Sequence, residues 1–149
     1  MTRPTDRLLV RRLSDSDSLL EVGIGDRPGV AAGLVRAGAD VRTTDVHPVE
    51  IPEGVRFRLE DVTAVDTIEP FHQVETVYAL NCPPELHQPI RELAERVDAT
   101  FCFTTLGLDQ PEIPVDRETL LAEHDPTAGT VRVTLYVAKL DAPTGRGPP

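Results

Sequence analysis

Apolar and polar positions along this 149-residue chain alternate between two periods, and the alternation lays out the elements. Leu8, Leu9 and Leu13 give a partial stripe at helical spacing, which predicts a short helix over 5–13, capped by Thr5 or Asp6. After a polar break, Ser18 to Val22 is an unbroken apolar-rich run, as a strand buried on both faces requires. Val30, Leu34 and Ala37 then share a helix face, flanked by Ala31, Val35 and Gly38. Asp40 to Asp45 predicts a second strand, and Val55 to Leu59, which alternates with arginine, predicts a third at the sheet edge. Ala64 to Phe71 reads as turns or a weak helix. Glu75 to Leu80 is rich in β-formers, and Thr100 to Thr105 resembles it. Between them Leu86, Ile90, Leu93, Ala94 and Val97 stripe a helix over 84–97. Leu106 to Pro114 is a proline-punctuated loop, 117–124 a predicted short helix, and 130–140 a long final strand.

Strands alternating with helices imply an α/β fold with an open, mostly parallel sheet of about six strands and helices on both faces. Right-handed crossovers give the strand order 3-2-1-4-5-6. Residues 1–140 form a single Rossmann-like domain on this reading, and 141–149, with three Pro and two Gly, a disordered tail.

Between the first strand and the second helix lies Gly23-Ile24-Gly25, then Pro28 at the start of the helix and Asp26 placed to cap it. Glycine accepts φ > 0 and lets a ligand approach the backbone. Asp45 lies 22 residues beyond Gly23. In a strand–helix–strand unit that puts its carboxylate beside the glycine turn, where it can accept hydrogen bonds from both hydroxyls of a ribose. Equally, an Asp before Val46, His47 and Pro48 can simply start a turn. Asp61-Val62 and Asn81-Cys82-Pro83-Pro84 follow the third and fourth strands, so four features converge on one sheet edge. Ligands in such sheets bind outside the carboxyl ends of the strands, where the order reverses.

Composition narrows the classes. The net charge is −10, with 14 Arg and one Lys, which repels nucleic acid and anionic membranes. The acidic, lysine-poor, aromatic-poor composition resembles that of proteins from salt-adapted archaea. No run is apolar enough to span a membrane and no signal peptide is visible, so a cytoplasmic location is expected. Cys82 and Cys102 are expected to be reduced thiols, Cys82 as buried lining. The four histidines match no metal spacing, and no Gly-Lys-Ser/Thr loop supports ATP hydrolysis.

Glu21-Val22-Gly23-Ile24-Gly25 resembles the first motif of the class I S-adenosylmethionine-dependent methyltransferases. Asp45 resembles their ribose-binding acid, and Asp61 with Val62 their adenine-site pair. The resemblance implies that Glu21 lies near the ligand's methionine ammonium. The chain from Leu19 to Tyr136 also resembles an uncharacterised family of short archaeal proteins, through the glycine motif and Pro83-Pro84-Glu85-Leu86. The pattern has departures. Arg27 stands where the third glycine would fall, either facing a ligand carboxylate or solvated. Asn81 is similar to the asparagine of the Asn-Pro-Pro-aromatic segment of amino-methylating enzymes. Here Cys82 is inserted and Glu85 replaces the aromatic, so Asn81 as a catalytic residue competes with a purely structural role for the prolines. The chain also reads one strand short of the usual seven. Three functions follow: a small methyltransferase-like enzyme using S-adenosylmethionine, an NAD(P) or other nucleotide binder, or a non-catalytic sensing or partner-binding module. Each takes a small nucleotide-type ligand. Against NAD(P), Gly29 follows Gly25 by four positions rather than three, and Glu21 would repel a pyrophosphate.

Overall fold

The computed structural model describes residues 3–122 and 129–141. The predicted tail lies outside them apart from Asp141, as does His124. Helix α1 spans Pro4–Leu13, β1 Ser18–Val22, α2 Gly29–Arg36, β2 Asp40–Asp45 and β3 Arg56–Leu59. Two 3-10 turns, Val62–Ala64 and Pro70–His72, lead to β4 Thr76–Ala79. Then come α3 Pro84–Val97, β5 Thr100–Phe103, β6 Val115–Leu121 and β7 Arg132–Ala138. The sheet order is β3-β2-β1-β4-β5-β7-β6. Strands β1 to β5 are mutually parallel, and β7 runs antiparallel to both neighbours.

The sheet thus has seven strands rather than about six: the expected order holds, with the predicted final strand, β7, beside β5, and β6 is added at the edge beyond it. Of the predicted helix over 117–124, residues 117–121 belong to strand β6, and 123–124 lie outside the described residues. Its register with β7 is continuous, from Val115 opposite Ala138 to Leu121 opposite Arg132. Pairing with β7 overrides the local helical preference of Arg117 to Leu121, as strand context commonly does. Arg12 of α1 reinforces the edge, with its Nε 2.7 Å from Glu118 Oε1 and its Nη2 3.0 Å from Oε2.

Two cores flank the sheet, and consecutive β1 residues divide between them. Leu19 packs with Leu9, Leu13, Val30 and Leu34 under α1 and α2. Leu20 packs with Ile90, Leu93 and Val97 of α3 on the opposite face. Helices α1 and α2 approach closely because Gly33 has no side chain: a Cβ there would come within 2.6 Å of Val10 Cγ2. Neither expected side-chain cap forms. Helix α1 begins at Pro4 behind Arg3, so Thr5 and Asp6 lie inside it, and α2 begins behind Pro28 without a bond from Asp26.

Candidate functional site

The carboxyl ends of the five parallel strands meet along one edge, and the glycine turn sits at its centre. Gly23 and Gly25 have φ of +76° and +54°, conformations costly to residues with a Cβ. A Cβ built at either would meet nothing within 4 Å, so both glycines open their backbone toward space rather than toward packed neighbours.

Asp45, at the tip of β2, ties this turn down. Its Oδ2 accepts the Gly25 N–H at 2.8 Å and its Oδ1 the His47 N–H at 3.0 Å. The turn-starting role is therefore real, and it does not exhaust the carboxylate: each oxygen keeps a further lone pair. Asp45 shares a cavity of about 100 Å³ with Gly23, Glu60, Asp61, Val62 and Leu86. Asp61 is exposed and accepts from Thr63 N–H at 2.9 Å and Thr63 Oγ1 at 2.6 Å, contacts that hold its carboxyl below the usual range. Beneath it, His72 is fully buried; its Nδ1 accepts the Glu69 N–H, leaving the Nε2 hydrogen for Glu60 at 3.0 Å.

Glu21 faces neither open space nor the small cavity. It is 1 % exposed and its Oε1 accepts from Tyr78 Oη at 2.8 Å, its partner across β1 and β4. Burial pushes its carboxyl up to about 8, softened by the tyrosine bond and reinforced by Asp6 and Asp45. At neutral pH it holds a proton.

A larger cavity of about 390 Å³ opens on the other side of the glycine turn, with Asn81 and Arg27 on its wall. Asn81 adopts φ +49°, and Thr104 holds it there, accepting the Asn81 N–H on Oγ1 and the Cys82 N–H on its carbonyl, both at 2.8 Å. The Asn81 side-chain amide makes no hydrogen bond among the described residues. Cys82 is buried in the core on the α3 side rather than lining either cavity, and desolvation and Glu85 push its thiol up to about 12, which disfavours the nucleophilic thiolate. His87 is buried too, its Nε2 3.1 Å from the Cys82 carbonyl and its Nδ1 accepting from Glu112 N–H.

The structure thus gathers Gly23, Asp45, Asp61 and Val62 at one cavity, places Asn81 and Arg27 at the other, fixes Gly25 between them and buries Glu21 below. Sequence reasoning missed three contributors to the larger cavity: Asp6 of α1, Thr104 after β5 and Arg132 of β7. Thr104 could have been found, since it directly follows a parallel strand. Asp6 and Arg132 arrive through helix packing and antiparallel pairing, which leave no local signature. Asp6 stands against the first turn of α2, where a Cβ on Gly29 would run into its carboxylate. Among the described residues no group of His, Cys, Asp or Glu could hold a metal ion, and no helix is long and apolar enough to cross a membrane.

The chain belongs to an uncharacterised protein family (UPF0146), whose model matches residues 5–124. A family member from Halobacterium salinarum is 38% identical over 122 residues, 82% of this chain and 92% of that one. Another from Archaeoglobus fulgidus is 40% identical over 94 residues, 63% of this chain and 72% of that one. Among solved structures, the chain is similar to magnesium protoporphyrin IX methyltransferase from Synechocystis with bound S-adenosylmethionine. The TM-score is 0.61 at 16% identity, over 91% of this chain and 78% of that one. A putative RNA methyltransferase from Pyrococcus horikoshii gives 0.58 at 15% identity, over 96% and 84%. The fold is that of the Rossmann-like methyltransferases.

Proposed function

We propose that this protein binds S-adenosylmethionine across the carboxyl ends of β1, β2 and β3 and is a small methyltransferase. One observation carries the reading: Gly23 of the open glycine turn, the Asp45 carboxylate fastened to that turn at Gly25, and the Asp61–Val62 pair border a single cavity. The residues fit the ligand. The glycines leave room for close approach, Asp45 retains acceptor capacity for ribose hydroxyls, and Asp61 and Val62 face an adenine. The bound ligand supplies an activated methyl group. The chain supplies orientation, which is most of what methyl transfer demands.

The charges point the same way. The Asp6 and Asp45 carboxylates both act on the buried Glu21 and raise its proton affinity, and as negative groups near the glycine turn they favour a cationic sulfonium and ammonium over a pyrophosphate. Asp6 at the first turn of α2 opposes the phosphate that a dinucleotide would place there. The NAD(P) alternative also gains no support from the similar structures. The case for a non-catalytic module weakens as well, because the seventh strand whose absence favoured it is present.

The experiment is a thermal-shift titration with S-adenosylmethionine, S-adenosylhomocysteine, NAD and NADP. A ligand at a hundredfold its dissociation constant stabilises by about 2.7 kcal/mol, a shift of about 5–15 °C. The first two ligands should give it, and Asp45→Ala should abolish it. A shift with NAD or NADP alone, or undiminished binding by Asp45→Ala, would refute the assignment.

A further inference from the structure

In a chain with ten more acidic than basic side chains a guanidinium finds carboxylates readily, and five arginines are ion-paired among the described residues. Arg12 is bound to Glu118, Arg42 and Arg56 to Asp40, Arg58 to Glu69 and Arg91 to Glu95. Arg3, Arg11, Arg27, Arg36 and Arg132 make no ion pair or side-chain hydrogen bond among the described residues, and of these Arg27 and Arg132 are set apart by position: both line the 390 Å³ cavity. They come from opposite sides of it: Arg27 follows the glycine turn after β1, and Arg132 opens β7, three strands along the sheet. On β7, Arg132, Thr134 and Tyr136 share a face at strand period and all border the same space.

Resting on the donor assignment above, we propose that this cavity is the acceptor subsite and that it takes a small molecule bearing a carboxylate or phosphate, engaged by Arg132. A guanidinium fork suits either anion, in one or two charge-assisted hydrogen bonds. Arg27 directly follows the glycine turn to which the donor is assigned, whereas Arg132 enters the cavity from β7, three strands away, so Arg132 is the residue assigned to the acceptor. The cavity's volume is at the small end of the range of about 300–1,000 Å³ typical of small-molecule sites. The overall charge of −10 disfavours a polyanion such as nucleic acid, which must approach the whole surface, while a small anion feels chiefly the local charges, two guanidiniums against the one Asp6 carboxylate beside α2. The uncommitted Asn81 amide and the Thr134 hydroxyl offer neutral polar contacts inside the same wall.

The test is an NMR titration of the full-length protein with acetate and with inorganic phosphate at fixed ionic strength, reading arginine Nε–Hε signals. It is run on free protein and on protein exposed to S-adenosylhomocysteine. Saturable shifts at Arg132 are expected with at least one anion, and Arg132→Gln should weaken the apparent affinity at least tenfold. Arg36→Gln, an equal loss of charge on the outer face of α2, should leave it intact. Response to phosphate alone or acetate alone identifies the group. No saturable shift at Arg132, or equal affinity in Arg132→Gln, overturns the proposal. Anion binding without S-adenosylhomocysteine binding would preserve this subsite and remove the donor assignment; the reverse would do the opposite.

Discussion

Glu21 shows how far a residue's role can depart from its chemistry in isolation. As a free carboxylate it would be ionised above pH about 4.3. Buried beside Tyr78, it is pushed up to about 8. Between those values the native state holds a proton that the unfolded chain has released, so stability falls as pH rises through this window. The contribution is complete below the unfolded pKa and lost above the folded one, with an upper bound of about 5 kcal/mol. Glu21→Gln keeps an oxygen for the Tyr78 hydroxyl and removes the ionisation. Denaturant unfolding at pH 5 and pH 8.5 should show the wild type losing a few kcal/mol that the variant retains, and parallel pH profiles would contradict the buried proton. Asp45 is the contrasting case. It accepts two backbone N–H groups, so Asp45→Ala should destabilise the unliganded protein by about 2 kcal/mol, in addition to losing the ligand. An unchanged unfolding midpoint in urea would mean that these bonds contribute nothing net.

At the scale of elements, the β1–turn–α2–β2 unit does most to shape the site, and it was legible because local sequence specifies it. Strand β1 ends where its apolar run ends, as a strand buried on both faces requires, helix α3 ends with its apolar stripe at Val97, and β2, though polar in sequence, ends at Asp45 as expected. The turn is written by glycines whose φ other residues resist. Gly23→Val should therefore cost about 1–2 kcal/mol from strain alone, with no clash, and reduce S-adenosylmethionine affinity by considerably more. Calorimetric binding measured beside unfolding separates the two, and wild-type affinity in this variant would show that no ligand passes over Gly23. Strand β6 was not legible, because its identity depends on β7 and on Arg12 rather than on its own polar, alternating residues. For the same reason the glycine, Asp45 and Asp61 side of the site could be read in advance, while Asp6 and Arg132 could not. Their positions follow from the close approach of α1 to α2 through Gly33 and from the reversed direction of β7.

For the molecule as a whole, the dominant quantity is a net charge of −10 on a chain whose described residues build one seven-stranded sheet. Its interior is fully provided for: no buried side-chain nitrogen or oxygen among the described residues lacks a hydrogen-bond partner. The electrostatic cost therefore sits on the surface, as repulsion among carboxylates that outnumber the cations available to pair with them. Exposed pairs such as Arg56–Asp40 offset little of it, since each is worth at most about 1 kcal/mol. Screening removes both terms, but the repulsion is the larger, because its charges are more numerous and act over longer distances. The Debye length shrinks from about 10 Å at 0.1 M salt to about 3 Å at 1 M. The unfolding midpoint should rise by several degrees across that interval in potassium chloride and then flatten, as screening saturates. A steady climb beyond 1 M would instead indicate exclusion of salt from the surface, and a falling midpoint would mean that the ion pairs outweigh the repulsion. Reversing surface charge should reproduce the effect without salt. Glu92→Lys and Glu53→Lys, at exposed positions away from both cavities, are expected to raise the midpoint at 0.1 M and to make it less sensitive to added salt.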